Sequence, residues 1–170
     1  KVDSKGPVLF KQKRVGIHKS HFQILKFRTM RMDTPHDTPT HLLEDPQRYI
    51  TPVGRFLRKT SLDELPQLLN IIKGDMAIVG PRPLLVRYLP RYNEHQKRRH
   101  EVRPGLTGLA QVHGRNSVSW EDKFDWDVKY VDNVSFVEDV RIIFMTIKSV
   151  LKKEGISSET SATMEEFLGN

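Results

Sequence analysis

The apolar positions of this chain first gather in two short segments, residues 7–13 and 22–28, that are rich in strand-forming residues. Gly16 and several polar residues lie between the two segments. Short β-rich segments joined through a polar stretch that contains glycine are typical of a hairpin, so the pattern predicts one at the N-terminus. Residues 31–52 hold four prolines and few apolar residues, which predicts a loop.

The next apolar positions recur at helical spacing. Phe56 and Leu57 are predicted to mark the inward side of a short helix over residues 54–59. A buried helix ending at Gly74 is predicted from the apolar positions Leu65, Leu68, Leu69, Ile71 and Ile72. A further helical region over residues 84–101 is expected to be broken near Pro90.

The C-terminal half carries the strongest helical signals. Ser119 followed by Asp122 is an N-cap signature for a helix that runs to about Tyr130. A longer amphipathic helix is predicted over residues 136–153, because apolar residues repeat at positions 137, 140, 143, 144, 147, 150 and 151. Gly155 ends this helix.

Two short strands complete the predicted elements, at residues 76–79 and 109–112, with a turn at residues 103–105 between them. Mostly helical content with a few short strands indicates an α+β fold. Residues 1–156 are expected to form a single domain. The Ser-, Thr- and Glu-rich residues 157–170 are expected to form a loosely held tail.

Charge is spread unevenly along the chain. The formal net charge of +7 divides into +11 over residues 1–103 and −4 over residues 104–170. A basic lobe suits a polyanion, an anionic membrane surface or phosphorylated substrates, although a merely solubilising surface would look the same. The chain has no cysteine, which excludes disulfides, thiolate zinc sites and a cysteine nucleophile and fits a reducing compartment.

No apolar run approaches the ~18 residues that can span a bilayer, and no signal peptide is present. The first residues lack an initiator Met, so the chain is expected to be part of a longer protein. Glycine-rich phosphate loops and convincing histidine spacing for a metal are also missing from the sequence.

Asp63 and Glu64 are adjacent carboxylates, and like charges so close together raise each other's pKa. Ser61 and Glu64 match a capping box, which would make the pair purely structural. Pro66 weakens that interpretation, because it would leave a helical carbonyl unpaired unless the helix began at Asp63. In either case the acids would lie at a helix N-terminus, where the dipole favours negative charge, a phosphate or a metal. Capping and chemistry both remain open on the pattern alone.

Arg82, Arg103 and Arg115 each lie at a bend shaped by proline or glycine. A rigidly presented guanidinium suits bidentate phosphate binding, although a salt bridge that holds the loop would explain Arg82 equally well. Three such arginines, together with the acidic pair, suggest a site for a highly anionic substrate.

The remaining basic and aromatic residues are given structural interpretations. Residues 97–100 are predicted to be a solvated face that could also touch lipid headgroups. Trp120, Phe124 and Trp126 are interpreted as core residues. Nucleic-acid binding is a rival for so basic a chain, but no helix-turn-helix, zinc-finger or aromatic RNA-binding signature is present.

Five motifs stand in order along the chain. They are Lys26-Phe27-Arg28-Thr29-Met30, Ser61-Leu62-Asp63-Glu64-Leu65-Pro66-Gln67, Lys73-Gly74-Asp75-Met76, Gly80-Pro81-Arg82-Pro83 and Val102-Arg103-Pro104-Gly105-Leu106-Thr107-Gly108-Leu109-Ala110-Gln111-Val112. In these motifs the chain resembles the bacterial monotopic phosphoglycosyl transferases, also called polyprenyl-phosphate sugar-1-phosphate transferases. The resemblance extends from about residue 7 to residue 167 and is strongest to small members that are little more than the catalytic domain.

The resemblance implies transfer of a sugar-1-phosphate from a UDP-sugar to a polyprenyl phosphate such as undecaprenyl phosphate, with release of UMP. It implies Asp63 as the nucleophile that forms a covalent phosphosugar-aspartate, and Glu64 as a ligand of Mg²⁺. The substrate-binding residues that it implies are Arg58, Arg82, Arg103, Arg115, Asn116 and Asp127.

The resemblance also implies a place on the cytoplasmic face of the bacterial inner membrane, at the first membrane step of glycan assembly, with amphipathic helices at the membrane surface. Family members carry an N-terminal re-entrant helix that this sequence does not contain, so the chain is expected to lack its anchor. No nucleic-acid partner is expected, and a homo-oligomer is left open. The alternatives are a non-catalytic basic adaptor on anionic lipid or nucleic acid, and a nucleotide-sugar-binding module with a degenerate site.

Overall fold

A computed structural model of the chain describes residues 3–34, 45–114, 118–151 and 166–169. These residues form an α+β fold that is mostly helical, as predicted. The elements in chain order are β1 (Leu9–Val15), β2 (His21–Phe27), α1 (Pro46–Tyr49), α2 (Pro52–Lys59), α3 (Gln67–Ile72), β3 (Ala77–Val79), α4 (Glu94–Lys97), β4 (Gly105–Thr107), α5 (Leu109–His113), α6 (Trp120–Asp132) and α7 (Phe136–Leu151). Short 3-10 helices lie at Ile17–Lys19, Leu62–Glu64, Val86–Arg91 and Arg98–His100.

The predicted N-terminal hairpin is confirmed. Strands β1 and β2 are antiparallel, with Leu9 opposite Phe27 at the open end and Val15 opposite His21 near the turn. Phe22 and Ile24 on β2 form a buried cluster with Met76. The hairpin is therefore packed against the segment that leads into β3.

Strands β3 and β4 form a small parallel sheet, and here two predictions are wrong. Residues 109–112 belong to helix α5 rather than to a strand, and Gly105, placed in a turn by the sequence, begins β4. A short apolar run has the same appearance in a buried strand and in a buried helix, so the pattern could not separate them. A Cβ on Gly105 would lie 2.1 Å from the backbone nitrogen of Gly80, so this pairing requires glycine.

Helix α3 has its apolar side outward, contrary to the prediction of a buried helix. Ile72 is 82% exposed and Leu68 is 46% exposed, whereas Asn70 is 1% exposed. The Asn70 side-chain amide accepts from the Leu25 backbone N–H at 3.0 Å and donates to the Gln23 carbonyl at 2.8 Å. The polar side of α3 thus satisfies backbone groups of β2, which leaves Leu68, Leu69 and Ile72 facing outward, while Ile71 packs against the cluster of Phe22, Ile24 and Met76.

The prediction that Phe56 lies inward on the short helix α2 is also wrong, because this side chain is 58% exposed. Both α2 and α3 therefore expose large apolar side chains that the sequence pattern predicts to be buried. No helix within the described ranges is both long and apolar enough to cross a bilayer.

Helices α6 and α7 are confirmed near their predicted positions. The Ser119 hydroxyl accepts from the Asp122 backbone N–H at 3.1 Å and begins α6. Helix α7 is held by Ile142, which is fully buried in a cluster with Val79, Leu109 and Tyr130. Four of the predicted apolar positions, Val137, Phe144, Ile147 and Val150, are 40–77% exposed, and the fully buried Ile142 is not among the predicted positions. The apolar spacing therefore predicts the helix but not the side that it buries. The predicted continuation of this helix to residue 153 lies outside the described residues.

The end of the predicted loosely held tail is packed against the domain. Phe167 is 2% exposed and belongs to an aromatic cluster with Tyr88, Tyr92 and Phe124. The Glu166 carboxylate pairs with Arg91 at 2.9 Å. In the described residues 166–169, aromatic burial therefore supplies an attachment that the polar composition of the segment does not suggest, and the rest of the predicted tail lies outside the described residues.

Candidate active site

A cavity of about 1230 Å³ runs through the protein between the hairpin, the 3-10 helix Leu62–Glu64 and helices α5, α6 and α7. Its charged lining includes Asp63, Glu64, Arg58, Arg82, Lys26 and Asp127. Its apolar lining includes Ile78, Leu106, Ile143, Ile147 and Val150. One cavity therefore offers a charged region and an apolar wall.

The two acids lie on a 3-10 turn that precedes α3. Ser61 has a left-handed backbone conformation with φ of 57°, and its side chain makes no capping hydrogen bond. Helix α3 begins only at Gln67, with Pro66 at the N-cap position. The capping-box interpretation is therefore wrong, and so is a helix that begins at Asp63. The Glu64 side chain is left available for partners across the cavity.

Glu64 is held by two cations. Its Oε1 atom lies 2.7 Å from Nζ of Lys26 on β2 and 2.7 Å from Nη2 of Arg82. Burial by itself opposes ionisation of this carboxyl, but Arg82 and Lys26 outweigh burial and hold its pKa well below the usual range. Glu64 is therefore a fixed negative charge at the edge of the cavity.

Asp63 is in a different state from its neighbour. Burial raises its pKa, Lys26 and Arg58 act in the opposite direction, and the charge of Glu64 adds to the rise. Among the described residues, no other side chain forms a hydrogen bond or ion pair with the Asp63 carboxyl. A partly desolvated carboxylate without an ion-pair partner of its own is suited to nucleophilic attack.

Helix α2 positions Arg58 near the two adjacent acids, Asp63 and Glu64, which together are called the dyad. Helix α2 approaches Thr29 so closely at Gly54 that a Cβ there would lie 2.1 Å from the Thr29 carbonyl oxygen. This contact lets Nε of Arg58 donate to the Thr29 hydroxyl at 2.9 Å. The guanidinium lines the cavity and favours the ionised form of Asp63.

Asp127 and Arg99 form a buried ion pair behind Arg82. Nη2 of Arg99 lies 2.7 Å from Oδ2 of Asp127 and donates to the Arg82 carbonyl oxygen at 2.7 Å. Arg99 is 3% exposed and His100 is 6% exposed, so the prediction that residues 97–100 are a solvated face is wrong for these two. A run of basic residues in the sequence does not show which of them lies opposite a buried carboxylate.

The implied site residues are brought together only in part. Asp63, Glu64, Arg58, Arg82 and Asp127 all line the cavity. Arg103 is exposed, does not line the cavity, and donates from Nε to the Gly74 carbonyl at 2.9 Å. Arg115 and Asn116 lie outside the described residues.

Further cations line the cavity that the sequence did not single out as site residues, among them Lys26, Arg14 and Lys123. Lys26 lies on the same side of β2 as the buried residues Phe22 and Ile24. A lysine on the buried side of a strand is a feature of the sequence that could have indicated a site residue. Burial lowers the pKa of Arg14 to about 10, and burial together with Arg82 lowers that of Lys123 to about 8. The cavity is thus richer in positive charge than the motifs suggest.

Comparison with known proteins gives a consistent result. The family model described as bacterial sugar transferase matches residues 1–153. The chain is 54% identical over 164 residues to the uncharacterized sugar transferase EpsL of Bacillus subtilis (strain 168), covering 96% of this chain and 80% of that protein.

Two relatives with more specific names are considerably longer than this chain. One is the undecaprenyl-phosphate galactose phosphotransferase of Salmonella typhimurium (strain LT2), 42% identical over 88% of this chain and 34% of its own length. The other is the UDP-glucose:undecaprenyl-phosphate glucose-1-phosphate transferase of Escherichia coli (strain K12), 38% identical over 86% of this chain and 33% of its own length. With a family model that matches most of its residues, the chain belongs to the bacterial sugar transferase family.

Proposed function

We propose that this protein transfers a sugar-1-phosphate from a UDP-sugar to a polyprenyl phosphate and releases UMP. The observation that carries the proposal is the unequal state of the two adjacent acids in one cavity. Glu64 is neutralised by Lys26 and Arg82, whereas the Asp63 carboxyl has no such partner among the described residues. The names of the Salmonella and Escherichia coli relatives support undecaprenyl phosphate as the acceptor class.

The reaction proceeds in two displacements on one phosphorus atom. An oxygen of the Asp63 carboxylate attacks the phosphorus that bears the sugar, and the bond from that phosphorus to the UMP oxygen breaks. UMP leaves with the electron pair. A phosphate oxygen of the acceptor then attacks the same phosphorus, the bond to Asp63 breaks, and the carboxylate is restored. Splitting the transfer in this way replaces one difficult step with two easier ones.

The cations of the cavity stabilise the charge that the two phosphorylated substrates bring. Arg82 and Lys26 pair with Glu64, and Lys26 and Arg58 both act on Asp63. Phosphoryl transfer depends mainly on positioning and on neutralisation of the equatorial oxygens, so fixed cations are the expected machinery.

Mg²⁺ fits this residue set as an ion shared with substrate. In the described part of the chain, no group of three acidic, histidine or cysteine side chains could form a protein cage for a metal. Mg²⁺ is commonly held by one or two carboxylates together with substrate phosphates and water, and the dyad offers two carboxylates. Glu64 would be its protein ligand through the carboxylate oxygen that Lys26 and Arg82 do not contact, and the bound ion would neutralise the diphosphate charge.

A membrane interface accounts for the outward apolar residues. Phe56 on α2, Leu69 and Ile72 on α3, and Phe144 on α7 are between 49% and 84% exposed, as is Phe136 at the start of α7. Large apolar side chains this exposed fit contact with a membrane, and a polyprenyl acceptor is itself found in a membrane. We place this surface on the cytoplasmic leaflet, where a nucleotide-sugar donor is available.

The decisive experiment uses donor alone. Incubation with a panel of UDP-hexoses and UDP-linked N-acetylated amino sugars should release UMP with one donor class and add one sugar-phosphate to the Asp63 peptide, detected by mass spectrometry. Asp63→Asn should lose both signals. Asp125→Asn removes an exposed carboxylate from α6 and serves as the matched control. UMP release by Asp63→Asn at the wild-type rate would contradict the proposal.

Glu64→Gln tests the metal role separately. Its UMP release should require a higher Mg²⁺ concentration than that of the wild type, because one of the two carboxylates is lost. An unchanged Mg²⁺ titration would remove Glu64 as the ligand without touching the role of Asp63.

A further inference from the structure

Arg99 occupies a buried position with a full set of partners. Its Nε and Nη2 atoms lie 3.0 and 2.7 Å from Oδ2 of Asp127, and Nη1 donates to the Tyr92 hydroxyl at 3.3 Å. Its guanidinium carbon lies 5.5 Å from the centre of the Phe124 ring. These contacts leave the guanidinium little freedom to rotate or shift.

A further hydrogen bond of Arg99 reaches the proline-flanked loop after β3, which carries Arg82. Nη2 donates to the backbone carbonyl of Arg82 at 2.7 Å, across 17 positions of sequence. Arg82 lies between Pro81 and Pro83, so its backbone has few conformations to begin with. The side chain of the same Arg82 extends to Glu64. A single hydrogen bond therefore connects the rigid, buried Arg99 to Arg82, the residue that pairs with Glu64.

A buried ion pair is not explained by stability alone. Removing two charges from water is costly, and apolar side chains of the same volume often give equal or greater stability. The Arg99–Asp127 pair is among the most buried charged groups described, with side chains 2% and 5% exposed. What the pair provides beyond an apolar contact is a directed N–H group at the Arg82 carbonyl.

We propose that Arg99 is a positioning residue that orients Arg82 toward Glu64, and that Asp127 acts on the reaction by fixing Arg99. The proposal deepens the function given above and rests on it. Arg99 acts through Arg82, so its effect on catalysis should disappear when the Arg82 side chain is absent.

Arg99→Lys is the main test variant. Lysine keeps a cation opposite Asp127, but its single nitrogen cannot reproduce the three-nitrogen fork that reaches Asp127, Tyr92 and Arg82 together. In a crystal structure of the substrate-free variant, the 2.7 Å contact between Arg82 and Glu64 should be lengthened beyond hydrogen-bond distance. An unmoved contact would overturn the proposal.

The kinetic test is a double-mutant cycle on kcat/KM for UMP release. Arg99→Lys should lower kcat/KM by about tenfold in the wild-type background and should have no further effect in Arg82→Met. Equal losses in both backgrounds would show that Arg99 acts directly or through general stability, and would overturn the proposal.

Arg98→Lys is the matched control, because Arg98 is the preceding residue, is 39% exposed, and pairs with Asp132 instead. It should leave kcat/KM unchanged in both backgrounds. If Arg99→Lys does not fold, Arg99→Met combined with Asp127→Leu removes the pair without leaving a buried charge, and the same substrate-free contact is measured.

The two proposals can fail separately. Absence of UMP release by the wild type with every donor would contradict the proposed function. The substrate-free structures would still decide whether Arg99 sets the position of Arg82.

Discussion

Nη2 of Arg82 donates to Oε1 of Glu64 at 2.7 Å, although 18 positions separate the two residues. This contact joins the turn that carries the acidic pair to the proline-flanked loop after β3. It also answers a question that the sequence left open for Arg82, where a salt bridge and phosphate binding were alternatives. In the structure Arg82 forms the salt bridge, and its exposed guanidinium still lines the cavity.

Glu64→Gln should change how stability depends on pH. The folded-state pKa of Glu64 lies below its ordinary value of about 4.3, so its ion pairs stabilise the fold fully above that value. This contribution is lost as pH falls through the lowered folded-state pKa. The melting temperature of the wild type should therefore exceed that of Glu64→Gln at pH 7, and the two should converge at low pH.

Glu101→Gln makes the same change at an exposed carboxylate. The difference between its melting temperature and that of the wild type should stay constant from pH 7 to low pH. If the melting temperature of Glu64→Gln were below that of the wild type by the same amount at every pH, the lost ion pairs would not be the cause.

Lys26→Met should move the acid limb of the pH–rate profile to higher pH. Burial raises the pKa of Asp63, and Lys26 is the strongest influence that lowers it again. Removing this cation raises the Asp63 pKa further, so the proposed nucleophile loses its ionised form at a higher pH. The measurement is kcat/KM for UMP release between pH 5 and 9.

Lys26→Arg keeps the charge and should leave the acid limb near its wild-type position. Coincident acid limbs for Lys26→Met and the wild type would mean that Asp63 is not the titrating group.

Phe167→Ala should destabilise the protein by roughly 3 kcal/mol, the typical cost of truncating a buried phenylalanine. Its ring packs edge-on to Phe124 at 5.0 Å between centres and is almost fully buried. Thermal or urea unfolding would measure the loss. Leu168→Ala, at a neighbouring residue that is 76% exposed, should cost little. Equal effects of the two substitutions would contradict the packing of this C-terminal segment.

Ile72→Lys should weaken binding to vesicles several-fold without changing the melting temperature, because this side chain is 82% exposed. Cosedimentation with vesicles that contain anionic lipid provides the measurement. Added positive charge would by itself strengthen attraction to such vesicles, so a loss must reflect the apolar contact.

Asn133→Lys adds the same charge at an exposed polar position after α6 and should bind at least as well as the wild type. Undiminished binding by Ile72→Lys would place the membrane contact elsewhere on the protein.

Local chemistry along the chain was enough to predict several elements. The hairpin, the start of α6 at Ser119 and the start of α7 follow from strand-forming residues, a capping hydroxyl and helical periodicity, which act over a few neighbouring residues. The family, and the presence of two adjacent acids at Asp63 and Glu64, follow from motifs that are contiguous in sequence. In each case the determining contacts are short-range.

Burial and partnership were decided only by the tertiary structure. Helix α3 has the leucine pattern of a core helix, yet Asn70 is the residue that is buried, because β2 presents unpaired backbone groups to it. Arg99 is buried within a run of charged residues because Asp127, 28 positions away, lies opposite it. Periodicity shows that a side is apolar, but whether that side meets the core, a membrane or solvent depends on which elements lie beside it.

The same division applies to the acidic pair. The sequence by itself determined that two carboxylates are adjacent and that arginines at rigid bends accompany them. The tertiary structure decided that Glu64 is ion-paired, whereas the Asp63 carboxyl has no ion-pair partner among the described residues. Lys26 and Arg82 come from distant segments and meet on one oxygen of Glu64. Charge–charge interactions act through space, so the difference between two neighbouring acids is set by residues that are far from them in the chain.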